Sequence, residues 1–177
     1  PQVANKSLNF IVRLGGKDAF GRDNDIAIVK VPRVLPRLIR MPARVSAGKV
    51  QFVMLSSVIR AHLPDLFPGR EVQQFSQFRI TRHSDLSVDE EDVSNRRTAL
   101  RKGLQQRHYG QALRLEVSAG CSDYLAATLQ AHFSLPAQAL YRVPGPVNLV
   151  RLQQMIDLVD APSLLFPPYK ASYPLML

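Results

Sequence analysis

Arginines on extended segments are the residues here whose type and spacing bear most on chemistry. Arg79 shares one face of the segment Val72–Arg82 with Thr81, and Arg82 and His83 close that segment. Arg114 and Arg142 fall in two later segments of extended pattern. A guanidinium is a planar fork that donates two parallel hydrogen bonds to a phosphate or a carboxylate. If these segments are neighbouring strands, Arg79, Arg82 and Arg114 form part of an anion-facing surface. The plainer reading is that strand-edge arginines pair with nearby acids. A second basic group, Arg33, Arg37, Arg40 and Arg44, rides on a proline-rich loop and reads as an electrostatic patch or a solubilising surface.

Other patterns carry less. The sequence has no G-x-x-x-x-G-K-[ST], no G-x-G-x-x-G and no H-E-x-x-H. His62, His83, His108 and His132 never recur at helical spacing, and there is one cysteine, so no metal site is expected. His83-Ser84-Asp85 holds the three residue types of a hydrolytic triad, but consecutive side chains cannot converge as a triad must. Cys121 precedes a helix start, where a thiol pKa can fall. The simpler reading is a small apolar residue packing there. No catalytic or cofactor-binding residue is assigned to this chain.

The elements that would position these groups follow from periodicity. Ser7–Leu14, Ile26–Val31 and Val50–Leu55 read as strands, with loops at Gly15-Gly16 and Gly21–Asn24 between the first two. Pro32, Pro36 and Pro42 are expected to keep the stretch between the second and third strands irregular. Ser56 or Ser57 is expected to cap a helix carrying Val58, Ile59 and Leu63, with Pro64 opening a second short turn. Val72–Arg82 reads as a long strand with Phe78 and Ile80 on its apolar face. Ser87 and Glu90 make a capping box for a helix reaching Leu104, and the dipole accounts for the acidic run Asp89–Asp92. Leu113–Val117 is a strand with Leu113, Leu115 and Val117 on one face. A helix over 122–133 buries Leu125, Leu129 and Phe133. Leu140–Val143 is a short strand, Pro144-Gly145-Pro146 a turn, and Asn148 the cap of a last helix carrying Leu152, Met155, Ile156 and Val159. Early strands without helices between them favour an α+β fold with a single mixed β-sheet and helices packed chiefly on one face.

Composition bounds the function. The 177 residues suit one domain, and 46% apolar content suffices for a core. A single cysteine allows no internal disulfide and suits a reducing cytoplasm. No apolar run approaches the roughly 18 residues that span a bilayer, and no secretory signal stands ahead of the first strand, so a soluble chain is expected. The start at Pro1, without methionine, points to a piece of a longer protein. A net charge of +9 attracts polyanions, or is balanced by other domains. An independent basic nucleic-acid-binding module is the alternative. Aromatics are only 7% and fall mostly on faces expected to be buried, so no nucleic-acid partner is expected.

Phe52–Arg60 runs on to Leu66-Phe67-Pro68-Gly69, Phe78–Leu86 stands ahead of Asp89-Glu90-Glu91, and the chain opens with Asn5–Asn9. Together with the loop Val31–Arg37, Arg114–Val117 and Tyr141–Leu149, these segments resemble, in family order, the middle domain of bacterial polyphosphate kinases. Pro64, Ser122 and the loop Gly15–Asp25 depart from the family pattern without touching these motifs.

The resemblance implies a head domain over residues 1–160 and a linker over 161–177 toward catalytic domains further on. It implies a parent enzyme that moves the terminal phosphate of ATP onto polyphosphate through a phosphorylated histidine. ATP and magnesium would be held by other domains, with no cofactor in this chain. The fragment alone is expected to be inactive. Its expected partners are the other domains of the same enzyme, further copies in a homo-oligomer, and polyphosphate along Arg79, Arg82 and Arg114. The implied location is the bacterial cytoplasm, with peripheral membrane association of the parent left open.

Overall fold

A computed structural model describes residues 3–18, 20–83 and 110–171. The helix expected from Ser87 to Leu104 lies outside the described residues. Seven strands and four α-helices are described. The strands are β1 (Leu8–Leu14), β2 (Ile26–Lys30), β3 (Leu38–Arg40), β4 (Phe52–Met54), β5 (Val72–Arg82), β6 (Ala112–Ser118) and β7 (Leu140–Val143). The helices are α1 (Ala43–Ser46), α2 (Leu55–Ala61), α3 (Asp123–Phe133) and α4 (Gln154–Leu158).

The fold is α+β around a mixed five-stranded sheet in the order β2-β1-β5-β6-β7. The first four strands run antiparallel to their neighbours, and β6 pairs with β7 in parallel. A parallel pair needs a crossover, and α3 supplies it. Ser122 caps α3 by accepting from the Leu125 N–H at 3.3 Å. Leu125 and Leu129 then face the sheet.

β1 is buried on both faces. Ile11 joins Phe78, Ile80, Leu115, Leu125 and Leu129 beneath α3, with Phe133 packed at the edge. Leu8, Phe10, Val12 and Leu14 point the other way and meet Val31, Leu55 and Leu63. α2 thus covers part of the second face, at the β1 end.

Local geometry corrects four expectations. The proline-rich stretch is not wholly irregular: β3 fits between Pro36 and Pro42 and pairs with β4 as a two-stranded sheet. Neither proline sits within that ladder, so no pairing N–H is lost. Neither Ser56 nor Ser57 caps α2. The helix starts at Leu55, directly from β4, and its first N–H, on Leu55, donates to the Arg37 carbonyl at 2.8 Å. Leu113 does not share a face with Leu115. β6 carries one extra residue at this point, since Thr81 pairs with Arg114 and Arg82 with Ala112. A bulge of this kind shifts the alternation, so Ala112 turns inward and Leu113 is half-exposed. Asn148 lies in the left-handed region at φ 67° and makes no side-chain cap. A 3-10 turn over Leu149–Gln153 precedes the short α4, whose Met155 and Ile156 are exposed. Beyond a 3-10 turn at Pro162–Leu164, residues 165–171 carry no regular element.

Candidate functional site

The antiparallel register of β5 and β6 sets Arg79 opposite Glu116 and Thr81 opposite Arg114. The parallel register of β7 adds Tyr141 beside Glu116. Because alternate residues share a face, Arg79, Arg114, Glu116 and Tyr141 gather on the side of the sheet away from α3. Glu116 is bracketed: Arg79 Nη1 stands 3.4 Å from one carboxylate oxygen and Arg114 Nη2 3.0 Å from the other. The Arg114 guanidinium carbon lies 3.8 Å from the centre of the Tyr141 ring, a cation–π contact. Two guanidinium charges thus share one carboxylate. Arg79 Nε and Gln77 Oε1, on the same face, are buried without a hydrogen-bond partner among the described residues. The Glu116 side chain is 15% exposed and that of Arg114 45%, so the positive side of the cluster is the accessible one.

Arg82 is not part of this group. Three residues on from Arg79, it leaves the strand on the α3 side. Its Nε donates to the Val3 carbonyl at 3.1 Å and its Nη1 to the Gly110 carbonyl at 2.8 Å, and it lies over the Phe133 ring. Its own N–H donates to Asn5 Oδ1 at 2.9 Å. The structure therefore brings Arg79 and Arg114 together and sets Arg82 to bind the N-terminal segment to the sheet. Arg142 is engaged as well, donating to the Cys121 carbonyl and to Asp123.

Cys121 is buried against α3, and burial pushes its thiol pKa up. That bears out packing over reactivity. His83 follows β5 with its N–H on the Gln111 carbonyl, while Ser84 and Asp85 lie outside the described residues. Among the described residues no three His, Cys, Asp or Glu side chains gather as metal ligands.

The sequence reading assigned no part to Glu116 or Tyr141. Cross-strand register brings them to the arginines, and only the glutamate's alternation with Arg114 on the same segment hinted at it. Arg70 was also missed. Its side chain donates to the carbonyls of Gly15, Gly16 and Asn24 and so holds the β1–β2 loop. In the proline-rich stretch Arg40 and Arg44 are exposed, but Arg37 is buried.

The architecture is that of an α+β domain with one sealed sheet face and one partly open face that is basic at its β5–β6 end. The sequence-family description "polyphosphate kinase middle domain" matches residues 1–155. A polyphosphate kinase of Neisseria meningitidis serogroup C is 53% identical over 96% of this chain, and one of Pseudomonas aeruginosa is 50% identical over all of it. The chain spans about a quarter of the length of these relatives, 25% and 26%. The crystal structure of polyphosphate kinase from Porphyromonas gingivalis shares the fold, with a TM-score of 0.61 at 18% identity over 97% of this chain and 23% of that one. The chain belongs to the polyphosphate kinase family, as its middle domain. No described helix is long and apolar enough to cross a membrane.

Proposed function

We propose that this domain serves a parent enzyme that transfers the terminal phosphate of ATP to polyphosphate. The phosphorylated histidine, ATP and magnesium belong to the rest of that enzyme, and no step of the reaction is routed through this domain. Its own part is to pack on neighbouring domains, to support assembly of a homo-oligomer, and to present Arg79 and Arg114 toward the polyphosphate path. The packing role draws on the exposed apolar side chains of the C-terminal stretch, among them Leu164, Leu165, Phe166 and Tyr169. Apolar exposure on that scale marks a contact surface.

The observation that carries the anion reading is Glu116 shared between two arginines, which leaves one guanidinium charge without an acid among the described residues, on a partly open face. Polyphosphate bears roughly one negative charge per phosphate. Binding to it by guanidinium groups weakens steeply with salt, by analogy with nucleic-acid polyelectrolytes. In the full-length parent, Arg79→Ala together with Arg114→Ala is expected to raise the KM for polyphosphate primer by about tenfold, the effect of ~1.4 kcal/mol, with subunit assembly intact. Loss of assembly with unchanged primer dependence would make both residues structural and end the anion reading.

A further inference from the structure

Arg37 is a buried cation with no acid beside it among the described residues. The residue is 7% exposed, and its Nη1 is sealed from solvent without a hydrogen-bond partner among those residues. Its main chain is fully engaged. The Arg37 N–H donates to Gln154 Oε1 at 3.0 Å, and its carbonyl accepts from the Leu55 N–H at 2.8 Å. These two bonds hold Arg37 between the start of α2 and the start of α4. Arg151 stands just ahead of Gln154 on the 3-10 turn. Arg33, in the loop before Arg37, donates from Nη2 to the Asn5 carbonyl at 2.5 Å. Burial lowers the Arg37 pKa from the ordinary arginine value, and the positive charges of Arg151 and Arg33 act in the same direction. Among the described residues none of the three forms an ion pair with an acid.

Such an arrangement opposes itself. A charge taken out of water is costly unless paired, and like charges nearby add to the cost. An arginine that merely covers apolar surface buries its stem and sends its head to water. Here a head nitrogen is the buried atom. Backbone bonds fix the position while the counter-charge is missing from the described residues.

We propose that Arg33, Arg37 and Arg151 form a binding site for a phosphoryl group. A phosphoryl group offers several terminal oxygens and up to two negative charges, enough to accept from three guanidinium forks, whereas a carboxylate offers two oxygens and one charge. The site lies on other elements than Arg79 and Arg114 and does not depend on their role.

The test is site-resolved labelling of the full-length protein with phenylglyoxal, read by peptide mass spectrometry in magnesium-free chloride buffer. Inorganic phosphate or tripolyphosphate is expected to slow labelling of Arg33 and Arg151 several-fold. Arg37→Met should abolish that protection at both residues. Arg151→Gln, at a less buried position, should abolish it at Arg33 and serves if the first variant does not fold. Protection by both anions assigns a single phosphoryl group, and protection by tripolyphosphate alone assigns a chain. Either outcome supports the site. Equal labelling with and without the anions overturns it. So does failure of Arg33 and Arg151 to react in chloride alone, because an acid from elsewhere in the protein then fills the place. Neither result alters the primer experiment on Arg79 and Arg114, so the two readings fail separately.

Discussion

Arg79 and Arg82 are three residues apart on one strand, and their side chains leave it on opposite faces. The first shares Glu116 with Arg114, and the second holds the carbonyls of Val3 and Gly110. Their substitutions should differ in kind. Arg82→Met keeps the aliphatic stem but removes the charged donors, at a cost of about 1.5–3 kcal/mol in urea unfolding. Glu116→Gln keeps the shape and removes the negative charge between two arginines. In the full-length enzyme it should lower the KM for polyphosphate primer, and a rise in KM would count against an anion-facing role. Cys121 gives a prediction of reactivity. Its pKa is raised chiefly by burial, so thiolate is scarcer than in the unfolded chain. Iodoacetamide should modify it more slowly in the folded protein than in urea at the same pH. The same shift means that its contribution to stability is complete below the unfolded thiol pKa and is lost as pH rises through the higher folded value.

Two helix starts that look alike in sequence differ in the structure. Ser122 lies just outside α3 and accepts the Leu125 N–H, as a capping serine does. Ser56 and Ser57 already lie inside α2, because its first N–H is satisfied by the Arg37 carbonyl reaching across from another element. Ser122→Ala should therefore destabilise by about 1 kcal/mol. Ser57→Ala, at an exposed position within a helix, should lie within about 0.5 kcal/mol of the parent. Thermal or urea denaturation of the two variants side by side measures the difference. An equal loss in both would mean that α2 begins where the serine pattern suggested. The bulge in β6 likewise belongs to the element: a single extra residue turns Leu113 out and brings Ala112 in, while leaving Leu115 and Val117 buried.

At the scale of the molecule, β1 lies between two cores. Phe78, Ile80, Leu115, Leu125 and Leu129 lie on one side, and Phe10, Val12, Leu55 and Leu63 on the other. Leu129 is 1% exposed, so Leu129→Ala should cost on the order of 2–5 kcal/mol. A loss below about 0.5 kcal/mol would place the α3 face wrongly. The chain also spans only a quarter of its relatives' length. With ATP, magnesium and a polyphosphate primer, it is expected to give no chain elongation and no phosphohistidine. Elongation by a preparation free of full-length enzyme would overturn the division of labour proposed above.

Period-2 and period-3.6 patterns were enough to set β5 at Val72–Arg82, β7 at Leu140–Val143 and the buried face of α3, because each reports a local alternation of apolar side chains that one packed surface must satisfy. The chain order of weak motifs was likewise enough for the family. The pairing of β6 with β5 one residue out of simple register, the backbone cap on α2 and the meeting of Arg37 with Gln154 were decided only by tertiary structure. Each joins residues far apart in the chain through main-chain hydrogen bonds or through space, and such bonds involve groups that every residue carries. For the same reason, the sequence held the arginines of a candidate anion surface but not their partition. A strand side chain's face depends on the register of its neighbours, and that is fixed only when the sheet assembles.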